Sequence, residues 1–207
     1  LSESIGPGCV HLGVENVRKV GAIGVPGFGW QTRIVDEKGQ EVQPGDVGEL
    51  IVKGDGVMQC YYKNPEATAE TIDKDGWLHT GDLGVMDAEG NITIKGRSKN
   101  MLLGPSGQNI YPEEIEDKLN NMLYVNESIV IQALDGKLAA LIYPDFELAF
   151  ANGMSEKQVE EQMEANRVEL NKTVAAYEQI ARVKIYHEEF EKTPKKSIKR
   201  FLYQEAR

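Results

Sequence analysis

Three stretches of the sequence combine residue types that could bind or transform a ligand. In Gly76-Trp77-Leu78-His79-Thr80-Gly81-Asp82-Leu83, the Thr-Gly-Asp run is expected to set the Asp82 carboxylate on a tight turn just before a strand. A fixed carboxylate there could accept hydrogen bonds from a ribose diol, as acidic residues do in dinucleotide folds. An Asx-type turn uses the same residues, and spacing alone does not choose between them. Residues 96–110 place Arg97, a fixed-fork donor suited to ribose or phosphate, ahead of a loop in which Gly104 and Gly107 enclose Pro105 and Ser106. Glycines at such positions let backbone approach a ligand closely, although a plain hairpin between domains has the same composition. Residues 192–200 carry the five cations Lys192, Lys195, Lys196, Lys199 and Arg200. They could be a solvated face, or could bring positive charge to a developing phosphoryl or carboxylate oxygen.

These residues need elements to hold them. Thr32-Arg33-Ile34-Val35-Asp36 alternates, turns at Glu37-Lys38-Gly39-Gln40, and is followed by the strand pattern Glu49-Leu50-Ile51-Val52-Lys53. A second hairpin is expected at residues 83–95, turning at Asp87-Ala88-Glu89-Gly90. Short strands with Gly-bearing turns suggest a small barrel or sandwich for residues 10–96. Residues 48–68, from Gly48 through Gly54 and Gly56 to Tyr61, Tyr62 and Thr68, read as a strand, a turn and a loop of scaffold.

The second half differs. Pro112 suits a first helical position, with Glu113, Glu114 and Glu116 behind it and a stripe of Ile115, Leu119, Met122 and Leu123. Asp135-Gly136 is a two-residue hairpin signal between strands at 128–134 and 137–143. Ser155 and Gln158 form a capping-box pattern ahead of a helix carrying Val159, Met163 and Leu170, and residues 183–186 alternate as a strand. This order is α+β, and the seam between the halves falls near residues 96–100.

Bulk properties narrow the class. The 207 residues, 41% hydrophobic and 27% charged, suit one large or two small soluble domains. A net charge of −10 argues against a general nucleic-acid binder. Cys9 and Cys60 give neither metal-ligand spacing nor a disulfide framework, which fits a reducing cytoplasm. No apolar run approaches the roughly 18 residues of a membrane span, which leaves at most peripheral membrane contact. The opening Leu1-Ser2-Glu3 has no initiating Met and no charged leader, so the expectation is a segment from within a longer protein.

In order and spacing, these stretches together resemble the adenylate-forming superfamily of acyl-CoA synthetases, nonribosomal peptide adenylation domains and luciferases. Leu1-Ser2-Glu3 looks like the tail of its Tyr-Gly-(Met/Leu)-(Thr/Ser)-Glu motif, which implies that Ser2 lies at the nucleotide phosphates and Glu3 binds Mg²⁺. Residues 48–68 match the structural motif that follows. Residues 77–83 match the motif whose aspartate holds the AMP ribose, which carries that role to Asp82. Residues 96–116 match the motif whose arginine binds ribose and whose residue two further on is the interdomain hinge, giving Arg97 and Lys99 those roles. Gly104, Pro105, Ser106 and Gly107 would then line the pantetheine tunnel. The resemblance divides the chain at 1–98, the β-barrel-like end of a large AMP-binding domain, and 99–207, a small α+β lid.

The final motif departs from the family pattern Thr-Pro-x-Gly-Lys-Ile-x-Arg. Aligning Thr193-Pro194 with Ile198 and Arg200 puts Ser197 at the lysine position, with Lys196 the nearest candidate for adenylation and Lys199 the alternative. The implied function is an ATP- and Mg²⁺-dependent ligation of a carboxylic acid, most simply a fatty acid, to CoA, by an enzyme whose remainder this chain lacks and cannot replace alone. Residues 97–116 fit CoA ligases better than peptide-synthetase adenylation domains. A non-catalytic lid-like module, another adenylating ligase, and a nucleotide-binding protein with no ligase step are the alternatives.

Overall fold

The computed structural model describes residues 2–6, 8–11, 19 and 21–204. The chain forms two compact units, Leu1–Lys99 and Asn100–Arg207.

The first unit is built on a six-stranded antiparallel sheet of β1 (Cys9–Val10), β2 (Ala22–Pro26), β3 (Trp30–Val35), β4 (Val47–Gly54), β5 (Leu78–Met86) and β6 (Ile92–Arg97), in the order β1-β2-β6-β5-β4-β3. It curls until β2 meets β3, giving a nearly closed, barrel-like sheet. Alternation decides which side chains fill it: Ile34, Leu50, Val52, Leu78 and Ile92 are buried together, with Trp30 and Ile94 packed against them. The β3–β4 and β5–β6 hairpins stand where alternation and turn residues place them. A short helix, α1 (Pro65–Thr71), begins where the Asn64 side chain accepts from the Ala67 amide at 3.1 Å.

One expectation fails in this unit. Thr80-Gly81-Asp82 is not a turn preceding a strand but lies within β5. The strand runs through Gly81 because side chains satisfy the backbone groups that the irregularity displaces.

The second unit has a three-stranded sheet, β9 (Val125–Gln132), β10 (Leu138–Pro144) and β11 (Ile180–Ile185), in the order β11-β10-β9. The β9–β10 pair is antiparallel, and the β10–β11 pair is parallel. Before the sheet come the small hairpin of β7 (Leu102–Leu103) and β8 (Asn109–Ile110) and the helix α2 (Pro112–Asn120). Between β10 and β11 lie α3 (Phe146–Ala151) and α4 (Glu156–Asn171), the latter opened by the expected Ser155–Gln158 capping box. A parallel partner for β10 requires such a crossover.

Central β10 is buried on both faces. Leu138, Ala140 and Ile142 pack with Ile115 and Leu119 of α2 and Met163 and Leu170 of α4. The other face, Ala139 and Leu141 with Ile129 and Ile131 of β9, is covered by Phe190 and partly by Tyr186, Ile198 and Tyr203. The C-terminal segment is therefore docked through an aromatic cluster, with Phe190 ring centroids 5.2 Å from Tyr186 and 5.0 Å from Tyr203.

Two local expectations are corrected. The β9–β10 loop is not a two-residue turn: Ala133 donates to Lys137 and Gly136 to Ala133, closing a three-residue loop with Gly136 at φ 78°. Leu123 lies past the end of α2 and is 57% exposed, because Tyr124 takes up φ 58° and redirects the chain into β9.

Candidate functional site

The first unit brings Asp82 and Arg97 together. They are directly opposed on β5 and β6, and the guanidinium Nη1 lies 3.0 Å from Asp82 Oδ1. The same nitrogen donates to the Thr80 carbonyl at 2.7 Å. The result is a carboxylate and a planar donor fork on one face, with Arg97 half exposed. Such a pair can accept from and donate to a vicinal diol at once.

A break in the β4–β5 ladder creates this geometry. Glu49 opposes Leu83 and Ile51 opposes His79, so the single residue Leu50 faces the three residues Thr80, Gly81 and Asp82. Backbone groups displaced from the ladder find side chains. Thr80 Oγ1 donates to the Leu50 carbonyl at 2.7 Å and accepts from the Asp82 amide at 3.0 Å. Glu49 Oε1 accepts from the Gly81 amide at 2.9 Å, and Glu49 Oε2 lies 2.9 Å from His79 Nδ1. Gly81 takes φ 70°, a conformation that a side chain would strain. Glu49, His79 and Thr80 received no individual role from sequence; the signal available was a Glu directly before the apolar run Leu50-Ile51-Val52.

Ser2 is exposed, and Glu3 is held beside the loop after β4. The Glu3 carbonyl accepts from the Met58 amide at 2.8 Å, and its carboxylate accepts from the Tyr61 hydroxyl at 3.2 Å. Among the described residues no group of three His, Cys, Asp or Glu could hold a metal. A lone carboxylate such as Glu3 would supply one oxygen ligand to an Mg²⁺ and would not form the core of a protein cage. Lys99 is exposed in the 3₁₀ turn Ser98–Asn100.

In the second unit Gly104 and Gly107 form the turn of the β7–β8 hairpin, where Gly104 donates to Gln108 and Gly107, at φ 80°, donates to Gly104. A side chain at Gly104 would place its Cβ 2.9 Å from Gln108 Oε1. Pro105 and Ser106 line a cleft of about 480 Å³ whose other walls include Lys137, Arg167, Tyr177 and Gln179. Lys196, Ser197 and Lys199 do not line it.

The basic segment is a hairpin of the same kind. Thr193 donates to Ser197, Lys196 donates to Thr193, and Lys192 pairs with Ile198. Lys196 has φ 62°, occupying the left-handed place that Gly39, Gly90 and Gly107 fill in the corresponding turns. Ser197 is thus the residue immediately after the left-handed position. The cations differ in their engagements. Lys192 Nζ lies 2.5 Å from Glu127 Oε1, a contact that raises its pKa, and Lys199 Nζ lies 3.1 Å from Glu191. Lys195 and Lys196 are exposed and make no ion pair among the described residues.

Arg200 anchors the hairpin from below. Its guanidinium meets both oxygens of Glu116, with Nη1 2.7 Å from Oε1, and that oxygen also accepts from the Val130 amide. Burial pushes Glu116 above the usual carboxylate range against the pull of Arg200. Burial alone would lower Arg200, but the Glu116 carboxylate leaves it raised. The two form a bidentate, largely desolvated pair joining α2 to the C-terminal hairpin.

Comparison with known proteins places this architecture. The family model described as AMP-binding enzyme matches residues 1–62, and that described as AMP-binding enzyme C-terminal domain matches residues 100–206. The chain belongs to the AMP-binding enzyme family, within the adenylate-forming superfamily of acyl-CoA synthetases. A long-chain-fatty-acid–CoA ligase of Salmonella typhimurium is 53% identical over 97 residues, 47% of this chain and 17% of that protein. A feruloyl-CoA synthase of Amycolatopsis is 39% identical over 130 residues, 62% of this chain and 26% of that protein. The o-succinylbenzoate CoA synthetase of Bacillus subtilis, solved with its acyl-adenylate intermediate, superposes with a TM-score of 0.75 at 27% identity over 95% of this chain and 38% of that one. The chain thus spans about a sixth to a quarter of the length of these curated relatives.

Proposed function

We propose that the chain is the C-terminal part of an AMP-forming acid–CoA ligase, with fatty acids as the acyl substrates. The observation that carries this reading is the Asp82–Arg97 pair, opposed across β5 and β6 in a chain of the AMP-binding family. Asp82 would accept from the ribose hydroxyls and Arg97 would donate to ribose or phosphate oxygen. Ser2 would lie at the phosphates. Mg²⁺, with Glu3 as one of its ligands, would supply charge neutralisation at the phosphates.

In the first half-reaction a carboxylate oxygen attacks the α-phosphorus of ATP. The bond from that phosphorus to the bridging oxygen breaks, and pyrophosphate leaves. A positioned ammonium lowers the cost of the charge that develops on the α-phosphate. Lys196 is the candidate, since Lys199 Nζ lies 3.1 Å from Glu191 while Lys196, at the left-handed position of the hairpin, is exposed and makes no ion pair among the described residues. In the second half-reaction the CoA sulfur attacks the acyl carbon, the acyl–phosphate bond breaks, AMP leaves and the thiol proton passes to solvent. The residues Gly104, Pro105, Ser106 and Gly107 would flank the pantetheine arm, beside the cleft that Pro105, Ser106 and Lys137 help to line. Lys99 would be the hinge that exchanges the two loops between steps, a gate of the kind that can limit turnover.

Fatty acids are favoured by the 53% identity to a long-chain ligase, although the relatives also include feruloyl and indoleacetate ligases. No helix among the described residues is long and apolar enough to cross a membrane, and a cytoplasmic location goes with this reading. Ser197 at the position after the left-handed residue favours one second reading, a non-catalytic lid.

Carboxylate-dependent ATP–pyrophosphate exchange by the full-length protein, run across acyl chain lengths beside Lys196→Ala, tests both. Exchange with fatty acids that falls about 100-fold in the variant supports the ligase and its lysine. Exchange that survives in the variant moves the role away from Lys196. No exchange with any acid favours the lid.

A further inference from the structure

We propose that Glu49 is a positioning residue for nucleotide selection, fixing the Asp82–Arg97 pair in the geometry that distinguishes a ribonucleotide from a deoxynucleotide. The inference rests on the reading above, that this pair receives ribose.

Its basis is the way the bulge in β5 is held. A strand whose partner residue Leu50 faces three residues has lost regular ladder bonds there, and a buried amide left unpaired costs about 1–3 kcal/mol. Glu49 supplies one of the replacements. Its two oxygens make different contacts, Oε1 with the Gly81 amide at 2.9 Å and Oε2 with His79 Nδ1 at 2.9 Å. The other ring nitrogen of His79 lies 3.8 Å from Asp73 Oδ2, and Asp73 itself accepts from the Asp75 and Trp77 amides in the turn leading into β5. One carboxylate thus ties the left-handed residue of the bulge to a side chain two residues earlier and, through it, to the preceding turn.

What Glu49 holds is what the diol would meet. Gly81 lies between Thr80, whose carbonyl receives Arg97 Nη1, and Asp82, whose carboxylate faces the same guanidinium. Rotating the Gly81 peptide would turn the Thr80 carbonyl and the Asp82 side chain together, shifting both ends of the clamp. The Glu49 side chain is about one-quarter exposed and approaches the site from the neighbouring strand, so it acts on the nucleotide through Gly81. A clamp displaced by an ångström can cost about 100-fold, and the loss falls on the substrate whose hydroxyls use it.

The test compares ATP with 3′-deoxy-ATP in acid-dependent pyrophosphate exchange by the full-length enzyme, as wild type, Glu49→Ala and Glu49→Gln. The wild type is expected to prefer ATP in kcat/KM. In Glu49→Ala that preference should fall at least tenfold, mainly through a higher KM for ATP, with KM for the acid unchanged. Glu49→Gln, which can accept from Gly81 with its oxygen and donate to a neutral His79 with its amide, should restore most of the preference. Equal losses for both nucleotides in Glu49→Ala, with the preference intact, would show a merely structural role and overturn the proposal. A wild type that exchanges without preferring ATP would instead remove the ribose role of Asp82 and Arg97 on which it stands.

Discussion

At the scale of single residues, Lys196 shows how a departure from a motif becomes legible in a backbone angle. A non-glycine residue in the left-handed region gives up about 1 kcal/mol to the contact between its Cβ and the backbone. Lys196 does so at φ 62°, in a turn closed by the same hydrogen bonds as glycine-bearing turns elsewhere in the chain. Lys196→Gly is therefore expected to stabilise the chain by about 0.5–1 kcal/mol, read as a higher denaturant midpoint with an unchanged slope. A lower midpoint would mean that the lysine side chain makes contacts worth more than the strain. Asp82 and Arg97 stood out as candidates by residue type, and the ribose role came to them from the family resemblance, because spacing alone left a plain turn and a plain hairpin open. Glu49 was not, because its partner is the amide of Gly81 on another strand and a side-chain-to-backbone contact leaves no spacing signature.

At the scale of elements, the turns at residues 36–40 and 87–91 announced themselves through the Asp and Gly that close them, whereas the like turn at residues 73–77 was not read. The C-terminal hairpin did not announce itself, since lysine replaces its glycine. The extra length of the β9–β10 loop was also hidden, because Asp135-Gly136 suits either a two-residue turn or the second half of a bulged one. The joint between α2 and the C-terminal hairpin is a tertiary feature with no local signal: Glu116 and Arg200 are 84 residues apart. Removing one partner of a largely buried pair strands the other, so Glu116→Ala should cost about 3–5 kcal/mol in urea unfolding. The double variant Glu116→Leu/Arg200→Met should recover much of that loss, because it leaves no uncompensated charge. A double variant as unstable as the sum of both single changes would show that the pair contributes through packing alone.

At the scale of the whole molecule, two compact units meet in sequence at Lys99–Asn100. The change from closely spaced hairpins to helix, strand and crossover was visible in periodicity, which is why the α+β class could be read from the sequence. The curl of the first sheet and the burial of β10 on both faces were less visible. They depend on which strand meets which, and on an aromatic cluster contributed by Tyr186, Phe190 and Tyr203.

The account's central claim, that Asp82 and Arg97 hold the ribose of a nucleotide undergoing adenylation, is tested most directly by carboxylate-dependent ATP–pyrophosphate exchange in the full-length enzyme, wild type beside Asp82→Ala. The account predicts exchange that requires an acid and a kcat/KM for ATP about 100-fold lower in the variant, in an enzyme that still unfolds cooperatively. Exchange undiminished by Asp82→Ala would contradict it.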